Sequence, residues 1–237
     1  MGAGVQKVGE YWVPDLDMRW FRNRRKTLEN YRDGGHGKQI GHLAQALDHL
    51  RAQVGAEVMA RSSAIDAGAN VGAYSRLMAG SFAQVHAYEP APDTAACLTR
   101  NVQDWGLNGR VHVHQKAVSD REGKVGMAGG GWLRRSISRE VRGAGAIPAV
   151  ALDSLGLSDV LLIKIDVEGH ELKALTGAAQ TLARCQPYVM MELKERHLAR
   201  GTADLSAHEA LLARGYRIVA DLGQPVLDRL YAPAGRR

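Results

Sequence analysis

Cysteine is scarce: Cys97 and Cys185 are the only two in 237 residues, and neither has the spacing of a metal ligand. This excludes a disulfide-stapled scaffold and points to a reducing compartment. Long apolar runs are also missing. The opening residues, Met1 to Lys7, contain no apolar h-region, and no stretch reaches the length of a membrane span. The cytoplasm is therefore the expected compartment, with no membrane partner. The chain also lacks two glycine-rich signatures. No G-K-[ST] follows a glycine turn, which excludes a phosphate loop, and no complete G-x-G-x-x-G occurs after a strand, which disfavours a dinucleotide site.

What is present is an ordinary globular composition. A chain of this length buries roughly 70–75% of its unfolded surface in one sizeable core. The pattern predicts an N-terminal helical extension over residues 1–60 and a single domain over 61–237. The net charge of +6 favours polyanions and says nothing about fold.

In the extension, Tyr11-Trp12-Val13-Pro14 reads as a short extended piece, because proline disfavours helix just before it. Residues 19–26 form a basic run around Trp20 and Phe21. They read as a helix with its aromatics inward and its arginines solvated; the alternative is a phosphate- or nucleic-acid-binding patch. Ile40, Leu43, Ala44, Leu47 and Leu50 recur at helical spacing and predict an amphipathic helix over 38–53.

From residue 61 strands alternate with helices, which implies a mostly parallel sheet covered on both faces. Crossover helices are expected over 74–79 and 92–105, the second capped by Asp93, and a third strand over 111–114. His112 and His114 share one face of that strand, but two ligands do not make a metal site. Residues 123–150 are glycine-rich and basic. They read as a flexible insert near the acceptor site, with Trp132, Arg134 and Arg135 as substrate contacts.

The chemistry gathers at two strand ends. The first is Ala64-Ile65-Asp66-Ala67-Gly68-Ala69-Asn70-Val71-Gly72, a strand, a glycine turn and the start of a helix. The helix N-terminus presents free N–H groups to the turn. Asn70 stands where a dinucleotide site has its second glycine, and Asp66 would repel a pyrophosphate. An acid there suits a cationic ligand such as S-adenosylmethionine. About twenty residues on, Glu89-Pro90 ends the second strand, where an acid holds ribose hydroxyls. Asp66, Gly68, Asn70, Gly72, Glu89 and Pro90 are thus the expected cofactor-binding residues. Ala117, Val118, Ser119 and Asp120, past the third strand, are candidates to read the adenine edge.

The second strand end is Val160-Leu161-Leu162-Ile163-Lys164-Ile165-Asp166-Val167-Glu168-Gly169-His170-Glu171. Lys164, within an apolar strand, must reach an acidic neighbour or the sheet's rim. Asp166, Glu168, His170 and Glu171 crowd the strand tip, a density easier to explain at a cleft than in a core. A helix is expected from His170 to Arg184, and the following strand brings Glu192 to the same rim. Lys164, Asp166, Glu168, His170 and Glu192 are therefore the expected catalytic set. Asp166 and His170 are the candidate general bases, with Glu168 and Glu192 orienting the acceptor or the base. A divalent metal held by Asp166, Glu168, His170 or Glu192 is possible but not required.

These stretches, in this order, resemble the FkbM-like methyltransferases. The similarity runs over about residues 60–232 and includes a closing hairpin from Tyr216-Arg217-Ile218-Val219 to Leu230-Tyr231. The resemblance implies a class I methyltransferase fold, Rossmann-like and doubly wound. Its sheet has seven mostly parallel strands and a C-terminal antiparallel hairpin. It also implies bound S-adenosylmethionine and O-methylation of a hydroxyl on a sugar or natural product. The alternatives are methylation of a nucleic-acid ribose 2′-hydroxyl, served by the basic extension, and a non-catalytic cofactor-binding module. No N-P-P-Y-like or Pro-Cys motif supports base methylation.

Overall fold

Strand by strand, the alternation seen in the sequence becomes one central sheet with helices on both faces. The computed structural model describes residues 4–14, 37–127, 137–139, 147–167, 169–192, 205–223 and 228–235. The chain begins with a hairpin, β1 (Val5–Val8) and β2 (Tyr11–Pro14), followed by helices α1 (Gly37–Val54) and α2 (Ala56–Met59). Then come β3 (Ser63–Ala67), α3 (Ala73–Ala79), β4 (Gln84–Tyr88), α4 (Pro92–Asp104) and β5 (Val111–His114). Four short strands follow: β6 (Ala117–Val118), β7 (Gly123–Met127), β8 (Ile137–Arg139) and β9 (Ile147–Val150). The last part holds β10 (Val160–Ile165), α5 (Glu171–Thr176), α6 (Ala179–Cys185), β11 (Tyr188–Glu192), α7 (Ser206–Ala213), β12 (Tyr216–Leu222) and β13 (Asp228–Pro233).

The main sheet has seven strands in the order β12-β13-β11-β10-β3-β4-β5. Its five-strand core, β11 to β5, is parallel, and β13 joins it antiparallel, closing the edge with β12. This is the expected mixed sheet. Every residue of β10 is buried, as befits a central strand. Successive side chains alternate between two cores. Ala64, Leu162 and Met190 face Leu43, Leu47 and Leu50 of α1, together with Met78 and Leu98. Ile65, Ile163 and Val189 face Leu175, Leu182 and Leu211.

Four expectations change. The extension is not helical throughout, since it opens with the β1–β2 hairpin, which packs Tyr11 and Val13 against Val71, Ala73 and Cys97. The expected helix from His170 to Arg184 is two helices. Gly177 passes so close to the 117–120 segment that a Cβ would lie 2.0 Å from the Ser119 carbonyl oxygen. Asp153 then supplies a new N-terminal cap, accepting the N–H groups of Gln180 and Thr181. The 123–150 insert contributes strands: its β7, β8 and β9 join β6 in a separate four-stranded sheet of order β6-β9-β7-β8. Trp132, Arg134 and Arg135 lie outside the described residues, as does the basic run 19–26. Finally, Asp93 does not cap α4. It sits in the first turn, while Ala91 holds the N-cap position.

Candidate functional site

The glycine turn sits where the parallel strands end. Gly68, Asn70 and Gly72 all have positive φ, at 84°, 52° and 96°. Gly68 has no room for a side chain: a Cβ would lie 1.9 Å from the Asp166 carbonyl oxygen on the neighbouring strand. The N–H groups of Gly68 and Ala69 both donate to the Tyr88 carbonyl, at 3.0 and 2.8 Å, tying the turn to the tip of β4. From behind, the buried Asn101 side chain donates to the Val71 and Trp12 carbonyls, so α4 and the N-terminal hairpin brace the turn. Gly68→Ala is expected to cost about 3 kcal/mol, combining left-handed strain with overpacking, read as a lowered denaturant midpoint.

Glu89 flanks the turn from the side. Its Oε2 accepts the Asn70 N–H at 3.0 Å and its Oε1 accepts the Ala91 N–H at 2.9 Å. Burial pushes its carboxyl up to about 7, against the pull of those N–H groups and of Lys164. Each carboxylate oxygen has a second lone pair, so acceptor capacity remains for a ligand. The side-chain oxygen of Asn70 and Oδ1 of Asp166 are buried with no hydrogen-bond partner among the described residues. Unsatisfied polar atoms flanking a strained turn are what a ligand-binding turn leaves, and they fit a nucleoside-type cofactor.

Lys164 is the hub of the second cluster. The parallel register sets it directly beside Asp66. Its Nζ donates to the Gly68 carbonyl at 2.9 Å and lies 3.3 Å from Asp66 Oδ1 and 3.7 Å from Asp166 Oδ2. Burial opposes the charge on Lys164, but Asp66 and Asp166 outweigh it and hold its pKa above the ordinary value. Asp66 is 0% exposed and also accepts the Ser75 hydroxyl at 2.7 Å. Expected to face the donor, it instead lies beneath the turn, where it holds Lys164 and α3. The Asp166 side chain is one-third exposed and opens outward.

Around Asp166 the rim is acidic. Met191 pairs with Ile165, so Glu192 follows at the level of Asp166, and Glu192 pairs with Asp228 across the antiparallel edge. Three neighbouring strands thus carry a carboxylate at one level. The sequence reading missed Asp228 and its partner His42, whose Nδ1 lies 2.7 Å from Asp228 Oδ2 in a buried pair. It also missed Tyr74, whose ring stands 5.0 Å from Lys164 Nζ. Burial, then the charges of Asp228, Asp166, Asp66 and Glu192, raise its phenol pKa. Only its place two residues after Gly72, in the first turn of α3, could have drawn attention to Tyr74.

The remaining candidates divide. His170 occupies the N-cap position of α5, half-buried, with Glu171 beside it accepting the Gly169 N–H. Glu168 lies outside the described residues. Ala117 and Val118 are buried and pair with β9, while Asp120 accepts the Ser119 hydroxyl. Among the described residues no three of His, Cys, Asp or Glu are grouped to hold a metal ion. His86, His112 and His114 stack along one face of β4 and β5, as the alternation expected for the last two. No helix of the described residues is long and apolar enough to cross a membrane.

No curated protein matches the chain. Among solved structures it is similar to methyltransferase FkbM from Methylobacillus flagellatus KT, at 20% identity and a TM-score of 0.48. That match covers 72% of this chain and 43% of that protein, so the chain spans less than half its length. It is similar in fold to a putative rRNA-methylase from Clostridium thermocellum, at 10% identity and a TM-score of 0.51, covering 83% of this chain and 97% of that one. The family model of the methyltransferase FkbM domain matches residues 66–218, from the first site acid into the closing hairpin. The chain therefore belongs to the FkbM methyltransferase family.

Proposed function

We propose that this methyltransferase moves a methyl group from S-adenosylmethionine to a hydroxyl of a small polyhydroxylated molecule, such as a sugar or natural product. The observation that carries this reading is the row of carboxylates Asp166, Glu192 and Asp228 beside the glycine turn. Carboxylates accept hydrogen bonds from hydroxyls and repel phosphates, which weighs against a nucleic-acid acceptor despite the chain's positive charge. Bound S-adenosylmethionine would supply the electrophilic methyl.

The residues divide the work. Gly68, Asn70 and Gly72 shape the turn that would receive the donor, and Glu89 would accept its ribose hydroxyls. Lys164, fixed by Asp66, holds both the Gly68 carbonyl and Asp166 in place. Asp166 takes the acceptor's proton at a carboxylate oxygen as the new bond forms, and general-base help of this kind is worth roughly 10²–10⁴ in rate. His170 is the second candidate for that proton. Incubating the protein with methyl-labelled donor and a panel of glycosides tests the reading. Mass spectrometry should show a labelled ether, and transfer only to nucleic acid would overturn it.

Glu89 offers a separate check on donor binding. Glu89→Ala is expected to raise the donor Kd on the order of 10²-fold, since charged hydrogen bonds contribute about 1.5–3 kcal/mol each. In the wild type, donor affinity should rise with pH up to about 7 and then level off, because ribose hydroxyls donate to the ionised carboxylate. Without ligand the sign is opposite. The folded pKa is raised from 4.5 to about 7, so the stability contributed by protonated Glu89 is full below pH 4.5 and lost as pH passes 7. Calorimetry across pH 5.5 to 8.5 reads the binding side, and a flat profile removes the ribose role.

A further inference from the structure

His42 and Asp228 are 186 positions apart and both lie outside the matched residues 66–218, so family membership assigns neither a role. Yet Asp228 is part of the acidic rim. It stands opposite Glu192 in register, and its charge reaches Asp166, Lys164 and Tyr74. From this placement we infer that Asp228 binds the acceptor, accepting a hydrogen bond from a second hydroxyl that is not the one methylated. His42 is its positioning residue. The inference rests on the methyl-transfer reading and names a feature of the acceptor: a second hydroxyl, set apart from the one methylated.

Three observations carry it. First, Asp228 extends the carboxylate row by one strand, so Asp166 and Asp228 flank Glu192 at one level, a spacing suited to more than one hydroxyl. Second, one Asp228 oxygen is engaged by His42 Nδ1, which fixes the carboxylate's orientation and sets the imidazole tautomer as a carboxylate partner does. Third, the pair is almost fully buried, with side chains 6% and 10% exposed. Joining α1 to β13 needs only apolar contacts, and burying an ionisable pair for that purpose alone is costly. An ionisable pair beside Asp166, Lys164, Glu192 and Tyr74 is better explained as part of the site. The helix that carries His42 thereby becomes a wall of the acceptor pocket.

The test compares methyl glycosides that carry two or more hydroxyls with matched monodeoxy glycosides, using labelled donor. A site built to bond a hydroxyl rejects its deoxy analogue strongly, by a factor of up to 10⁴–10⁵. The wild type should therefore prefer the parent glycoside by at least about 10²-fold in kcat/KM. Asp228→Asn should cut that preference at least tenfold, mainly through KM, with donor affinity unchanged. His42→Leu should do the same, while His42→Asn, which keeps a donor near the Nδ1 position, should restore much of it. A latch that only joins α1 to β13 would instead lower stability and leave that preference intact. An unchanged preference in folded Asp228→Asn overturns this inference but leaves methyl transfer standing. No transfer to any glycoside also overturns this inference, and transfer only to nucleic acid overturns both.

Discussion

Asp166→Asn is expected to lower kcat by about 10²–10⁴-fold while leaving donor affinity within a factor of two. The amide has nearly the shape of the carboxylate but cannot take a proton at neutral pH. The fold should survive, because Lys164 keeps its bonds to the Gly68 carbonyl and to Asp66, and the Asp166 backbone N–H still donates to Ala67. The exchange thus separates proton removal from architecture. Single-turnover measurement with saturating donor is the appropriate readout, since product release cannot mask the chemical step. Normal turnover in the variant would remove Asp166 as the base and move the role to His170.

Lys164→Met is expected to produce the largest loss of stability, about 3–5 kcal/mol, because it leaves a buried carboxylate uncompensated. Asp66 has no exposed surface, and its other partner, the Ser75 hydroxyl, carries no charge. Asp66→Asn alone should cost less, since Lys164 retains Asp166 and the Gly68 carbonyl. The informative result is the double variant. With the charge gone from both positions, the two losses should fall well short of additive, by roughly 1–3 kcal/mol. Urea denaturation of the four proteins measures this. Strict additivity would show that Lys164 and Asp66 do not depend on one another, contrary to their 3.3 Å separation.

Much of the proposed cofactor side was legible as a placement because it is local. Gly68 and Glu89 stand at strand tips, and parallel strands joined by crossovers bring their C-terminal ends to one edge whatever else the chain does. Lys164 was legible for a related reason: a charge within a fully buried strand must find a partner. Its register beside Asp66 then supplied one. Asp66 itself was placed correctly along the chain but not in depth. The pattern of residues gives a position at the end of β3, whereas only packing shows that Ser75 and Lys164 enclose it.

The sequence by itself determined the strand–helix alternation, the glycine turn and the acids at the tips of β3, β4, β10 and β11, because each follows from periodicity and short-range sterics. Tertiary structure alone decided that α5 and α6 are separate helices, that the 123–150 segment contributes strands, and that His42 meets Asp228. The first depends on backbone of another segment approaching Gly177. The last depends on an antiparallel edge strand and an N-terminal helix converging on one rim. Contacts between residues so far apart leave no periodic trace in the chain; they exist only once the hydrophobic core has fixed where each element lies.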